Sequence, residues 1–213
     1  LKGIKPTEQA QLQAYPLSTL PLPEEGPEQV LLRLLSSPNI CSRRPVYQQY
    51  DHQVQTNTVA SPGHDAAVLR VKGTRKGIAL STDGNGRYCF LDPYRGGAIA
   101  VAEACRNVSC TGAEPIALTD CLNFGNPENP SIYYQLEWCV RGMAKACRVL
   151  GVPVVSGNVS LYNETKGQAI YPTPVLGALG LLEDVELHVP STFAQPGDLV
   201  ILLGASRVRA RTR

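Results

Sequence analysis

TDCLNFGNPE, Thr119 to Glu128, sets an acid, two Asn side chains and a Gly directly behind the short apolar run that starts at Ile116, between Pro115 and Pro127. Ile116 to Thr119 reads as a strand. On its C-terminal side, Ser131 opens the clearest helix of the chain. Ile132, Leu136, Cys139, Val140, Met143, Cys147 and Leu150 recur at spacings of three and four, and Gly151 closes it. Val152 to Ser156 is the next strand, and a second polar segment, SGNVSLYNE from Ser156 to Glu164, follows it. This order of strand, polar segment, helix, strand and polar segment decides the fold. It sends two loops out from the ends of neighbouring strands. Asn side chains and backbone amides there donate to phosphate, while Asp and amide oxygens suit magnesium at octahedral geometry.

Working toward the N-terminus, Asp92-Pro93 supplies an N-cap and a first-turn proline. The helix they start carries Ile99, Ala102, Cys105 and Val108 on one stripe and should end near Gly112. Two strand signals precede it, Ala66 to Val71 and Gly77 to Thr82, joined by a Lys-Gly-Thr-Arg-Lys turn as a hairpin. Between hairpin and helix, DGNGRY reads as a turn. Glu28 to Leu35 is a short helix stopping before Pro38, and the proline-rich residues 1–30 are expected to be an extended linker or arm. Pro174 to Leu182 and Leu199 to Leu203 complete the strands. The sum is an α+β (α/β layered) domain.

A chain 43% hydrophobic and 18% charged can build a core, which excludes disorder as its main state. The net charge of +2 misleads, because Arg207, Arg209, Arg211 and Arg213 crowd the last seven residues. Without them the balance is mildly acidic, so no nucleic-acid partner is expected. Seven cysteines without a CxxC pair give neither a zinc nor a disulfide pattern. The sequence contains no signal peptide and no run long enough to span a membrane, so no membrane partner and a cytoplasmic setting are expected.

TDCLNFGNPE and SGNVSLYNE, with FLDPYRGG (Phe90 to Gly97), AEACRN (Ala102 to Asn107) and SPNICSRRPVYQQYD (Ser37 to Asp51), resemble the formylglycinamide ribonucleotide amidotransferases in their small, multi-subunit form. The likeness runs from about Leu31 to Gly204. It implies a synthetase domain over 31–204, similar to the N-terminal domain of aminoimidazole ribonucleotide synthetase: half of a pseudo-dimeric β-barrel with outer helices, belonging to the second half of the synthetase. Residues 205–213 do not resemble the family's continuation and are assigned no structural role.

The resemblance also implies chemistry. ATP would drive conversion of formylglycinamide ribonucleotide to its amidine, with ammonia from a glutaminase subunit helped by a third small subunit. The first half of the same synthetase would supply the opposite wall and the general base. Read alone, Asp120 is a turn acid and SGNVS a polar turn. The family likeness places ATP at Asp120 and Gly157, magnesium at Asn158 and the ribonucleotide at Ser160, while Asn123 and Asn126, read by themselves, hold the turn through side-chain to backbone bonds. Asp65, Glu103 and Asn107 match an auxiliary nucleotide and magnesium site. Glu103 and Asn107, four apart, share a helix face. His52 and His64 are read as an ordinary loop histidine and a turn histidine, since the family's catalytic histidines lie in the half not present here. Two other readings stay open: another ATP-using enzyme of the same superfold, and a non-catalytic nucleotide-binding or pairing module.

Overall fold

The computed structural model describes residues 2–16, 19 and 21–204. Its centre is a six-stranded sheet. In chain order the strands are β1 (Thr58–Ala60), β2 (Ala67–Arg70), β3 (Gly77–Asp83), β4 (Glu114–Asn123), β5 (Val154–Ser160) and, after the small β6 (Glu164–Thr165) and β7 (Gln168–Ala169) ribbon, β8 (Thr173–Leu182). The spatial order is β1-β2-β3-β8-β4-β5. All neighbours are antiparallel except β4 and β5. The sheet is mixed and open, as a half-barrel would be.

Strand β8 shows how the sheet is layered. Pro174, Leu176, Ala178, Gly180 and Leu182 are buried, while Thr173, Val175, Gly177, Leu179 and Leu181 between them are half-exposed. This period of two means that helices cover one face and, among the described residues, none covers the other. The covering helices are α5 (Pro93–Cys110), lying across β3 and β8, and α6 (Pro130–Leu150), lying along α5. Glycine sets the spacing between them, because a Cβ at Gly142 would fall on the Tyr94 carbonyl and one at Gly97 would crowd that of Cys139.

Capping explains why these helices begin and end where they do. Asp92 accepts from the Arg95 amide at 3.0 Å, with Pro93 in the first turn. Asn129 caps α6 through the Ser131 amide, and Gly151 ends it with φ 71° in the left-handed region. The buried stripe of α6 is Ile132, Gln135, Cys139, Gly142 and Met143, with Leu136 half-buried. Val140 and Leu150, expected in the stripe, are exposed. The helix is turned so that its small residues, not its largest ones, meet α5. DGNGRY is more than a turn: Asn85 caps the short helix α4 (Gly86–Leu91), accepting from the Arg87 and Tyr88 amides.

Three expectations are corrected. Residues 1–30 are not simply an extended arm. They contain α1 (Thr7–Ala14) and the start of α2 (Pro27–Ser36), with the one-turn α3 (Arg44–Tyr47) following beyond them, and α1 is docked. The buried Gln9 gives its amide to Phe90 O at 3.0 Å, Gln13 gives its own to Leu91 O, and the Ile4 amide bonds to Pro130 O. These two glutamines serve the carbonyls that α4 leaves unpaired at its C-terminus. Next, Leu199 to Leu203 form no strand: Leu203 is 90% exposed, and no strand of the sheet lies beside this run. Lastly, the strand predicted at Val152 to Ser156 starts at Val154 and runs on to Ser160. The tail 205–213 lies outside the described residues.

Candidate functional site

The first halves of the two polar segments, Thr119 to Asn123 and Ser156 to Ser160, are strand, and loop begins only beyond them. β4 carries Asp120 and Asn123 inside the ladder, and β5 carries Gly157, Asn158 and Ser160. They pair in parallel, with Asp120 opposite Gly157, Cys121 opposite Asn158 and Asn123 opposite Ser160. All four residues of the principal site therefore lie on one strand pair within a few positions of one another, and SGNVS is strand rather than a polar turn.

Strand alternation then divides them between faces. Asp120 pairs with Leu176 on the helix-covered side. Its carboxylate lies directly over Gly157, where a Cβ would fall on Asp120 Oδ1. Glycine is the residue that lets β5 carry a carboxylate there. No hydrogen bond among the described residues satisfies that carboxylate, and burial pushes its pKa above the ordinary aspartate value.

On the uncovered face, Thr82, Thr119, Cys121, Ser156, Asn158, Val175 and Gly177 join Asp120 and Gly157 around a hollow of about 410 Å³. Ser156 Oγ donates to Thr119 Oγ1 at 2.8 Å. The Asn158 amide nitrogen approaches Cys121 Sγ at 4.0 Å, and its Oδ1 meets no donor among the described residues. A floor of hydroxyls, one amide oxygen and backbone amides suits phosphate and its counter-cation.

Beyond this floor the strand ends are laced together. Asn123 Nδ2 donates to Cys121 O and Thr173 O at 3.0 and 3.2 Å. Asn126 Oδ1 accepts from the Glu128 amide at 2.8 Å, and the Asn126 amide donates to Glu164 Oε1 at 3.0 Å, so both asparagine side chains hold backbone. Ser160 is engaged by Asn163, a residue the sequence reading did not single out although it lies within SGNVSLYNE.

The secondary constellation is not assembled as expected. Glu103 and Asn107 do share a face of α5, but Asp65 binds Ser191, whose Oγ donates to Asp65 Oδ2 at 2.6 Å. Asn107 Nδ2 instead donates to Asp83 Oδ1 at 2.9 Å, and Asp83 Oδ2 is buried without a partner. Asp83 was missed because DGNG was read as a turn. It is the last residue of β3, facing α5. Among the described residues no three His, Cys, Asp or Glu side chains gather to hold a metal. His64 accepts from the Ser191 amide at 3.3 Å, and His52 lies exposed in a loop. No described helix is long and apolar enough to cross a membrane.

Comparison with known proteins agrees with this fold. The family described as AIR synthase related protein, N-terminal domain, matches residues 63–182. Phosphoribosylformylglycinamidine synthase subunit PurL of Moorella thermoacetica is 61% identical over 188 residues, covering 88% of this chain and 26% of the relative. The structure of PurLQS from Thermotoga maritima aligns with a TM-score of 0.63 and 41% identity over 68% of this chain and 24% of the other. T. maritima PurL solved with ATP and with FGAR gives a TM-score of 0.58 in each case, at 41% and 43% identity, over 65% of this chain and 23% of that one. The chain thus spans about a quarter of the length of the relatives it matches.

Proposed function

Because this chain belongs to the AIR synthase related family through its N-terminal-type domain, we propose that it forms one wall of the nucleotide and substrate site of a phosphoribosylformylglycinamidine synthase. The observation that carries this reading is the parallel register of β4 and β5, which sets Asp120 on Gly157 and places Asn158 and Ser160 beside them. Residues 37 apart become neighbours, and an uncompensated carboxylate is held against a glycine backbone. A half-exposed carboxylate with no hydrogen-bond partner among the described residues is open to a ligand's donors or cation. The relatives solved with ATP and with FGAR support the choice of ligands.

In this reading Asp120 and the Gly157 backbone contact ATP, and Ser160 contacts formylglycinamide ribonucleotide. Asn158 fits a magnesium ion that keeps most of its shell as phosphate and water, because it offers one free amide oxygen rather than a cage. When bound there, the ion neutralises phosphate charge. The substrate's amide oxygen attacks the γ-phosphorus and ADP leaves. Ammonia then adds at the activated carbon, and phosphate departs with the oxygen. This wall contributes position and polarity rather than a nucleophile. The uncovered face, with Ile78, Leu80, Leu179 and Leu181 beside the polar hollow, fits a second, similar domain that would close the barrel and bring the general base. A glutaminase subunit and a third small subunit would complete the ammonia supply, as the assembly named PurLQS suggests.

The test is ammonia-dependent synthesis by the full-length protein that carries this chain. Asp120→Asn and Asn158→Ala should each lower kcat/KM about 10²–10³-fold. Near-normal values in both, at low ATP and magnesium, would overturn the reading.

A further inference from the structure

Asn163 lies in the turn after β5, three residues beyond Ser160, and its side-chain amide ties together the ends of β4 and β5. Its Nδ2 stands 2.9 Å from Ser160 O, 3.1 Å from Phe124 O and 3.1 Å from Ser160 Oγ, while its Oδ1 stands 3.2 Å from Ser160 Oγ. A primary amide has two protons to give and one oxygen that accepts. Three acceptors cannot each receive a full bond from two protons. One arrangement uses every group: both N–H protons go to the carbonyls of Ser160 and Phe124, and the Ser160 hydroxyl donates to Oδ1. Turning the hydroxyl round leaves Oδ1 with no donor among the described residues. Ser160 Oγ therefore keeps its lone pairs and has no proton to offer.

The frame around this pair is over-determined. Phe124 N donates to Ser160 O, Asn163 N to Phe124 O and Tyr162 N to Gly125 O, each at 3.1 Å. Tyr162 is held at φ 60°, a left-handed conformation that a bulky residue adopts only under constraint. The Ser160 oxygen is thus fixed in place as well as in protonation sense.

We propose that Asn163 is a positioning residue that fixes Ser160 Oγ as a hydrogen-bond acceptor, so that the substrate meets it with a donor, an amide N–H or a sugar hydroxyl, and not with its phosphate. An ionised phosphate only accepts, and it would face a hydroxyl whose proton is already committed. This inference rests on the reading of Ser160 as a substrate contact and adds which part of the ribonucleotide lies there.

The experiment uses the full-length protein with ammonia as nitrogen donor, and two ligands: the ribonucleotide and its dephosphorylated ribonucleoside. Ser160→Ala should raise the ribonucleotide KM about tenfold, the scale of one lost hydrogen bond, and leave the ATP KM unchanged. It should weaken ribonucleoside binding by the same factor. Asn163→Ala should reproduce the KM rise alone, yet add nothing in a Ser160→Ala background, because it acts through that hydroxyl. Asn163→Asp, which still accepts from Ser160, should return KM most of the way to wild type while lowering Tm. Two results would overturn the proposal. One is an Asn163→Ala penalty that persists undiminished without the serine. The other is ribonucleoside binding indifferent to Ser160→Ala while ribonucleotide binding suffers, which would put the phosphate at the serine. Should Asn163→Ala not fold, Asn163→Asp and the ribonucleoside comparison still decide. If Ser160→Ala changes neither ligand, Ser160 is no substrate contact and the inference falls with it. Asp120→Asn and Asn158→Ala would still judge the nucleotide site independently.

Discussion

The principal and auxiliary constellations use the same kinds of residue, yet only one is drawn together. Asp120, Gly157, Asn158 and Ser160 sit on two strands joined by a single helix, so one parallel pairing sets all their distances. Asp65, Glu103 and Asn107 are spread over a strand approach and a helix, with no shared ladder. Asp65 turns to Ser191 and Asn107 to Asp83. A site carried by strand register is assembled once the sheet forms. A site that bridges layers depends on each packing contact separately.

The sharpest probe of this contrast is the support beneath the principal site. Phe124, fully buried between the two strand ends, should cost about 3–5 kcal/mol on replacement by Ala. Denaturant unfolding would measure it, and a cost below about 0.5 kcal/mol would mean that the strand ends are not held by packing.

Gly157→Ala comes next. The new methyl must displace the Asp120 carboxylate or the strand, at about 1–3 kcal/mol. The same substitution in an Asp120→Ala background should cost clearly less. Equal costs in both backgrounds would show that the carboxylate does not rest on that glycine.

Asp120→Asn should act in opposite directions on stability and activity. Burial raises the carboxyl's pKa in the fold, so its charged form is held at a cost relative to the unfolded chain. The amide should therefore stabilise the ligand-free fold at neutral pH. That gain should shrink as pH falls through the raised folded value and vanish below the ordinary aspartate value. Tm differences across a pH series would read it; a gain that grew on acidification would reverse the sign of the argument.

Asp65→Asn is expected to do least: within about 0.5 kcal/mol in stability, as for an exposed polar substitution, with the ATP KM unchanged. A loss of activity matching that of Asp120→Asn would show that the auxiliary constellation is assembled after all.

What the sequence made legible follows from where its signals are local. Asp92-Pro93 and Gly151 mark their helix ends because caps act within one turn, whereas the Asn129 cap stands two residues before the Ser131 start that the apolar stripe indicates. The hairpin of β2 and β3 could be read from its turn residues. The polar strands were harder. In DCLN and SGNVS the side chains favour turns, and only the ladder to β8 and the pairing between β4 and β5 keep them extended. Conversely, Leu199 to Leu203 has every strand preference and no neighbour to pair with. Helix α1 escaped notice because its polar TEQAQLQA has no apolar stripe; it is held by what two glutamines reach, which no local pattern reveals.

The placement of β8 also divides the sheet by lifetime. Bonded to β3 on one side and β4 on the other, and roofed by α5, its amides can open to solvent only when most of the domain opens, so in deuterated water they should exchange last. Among the described residues β5 has a partner on one side only, and its outward amides should exchange among the first. The strand that carries Gly157, Asn158 and Ser160 therefore belongs to the readily opened margin of the protein, anchored through β4 to the part that opens last.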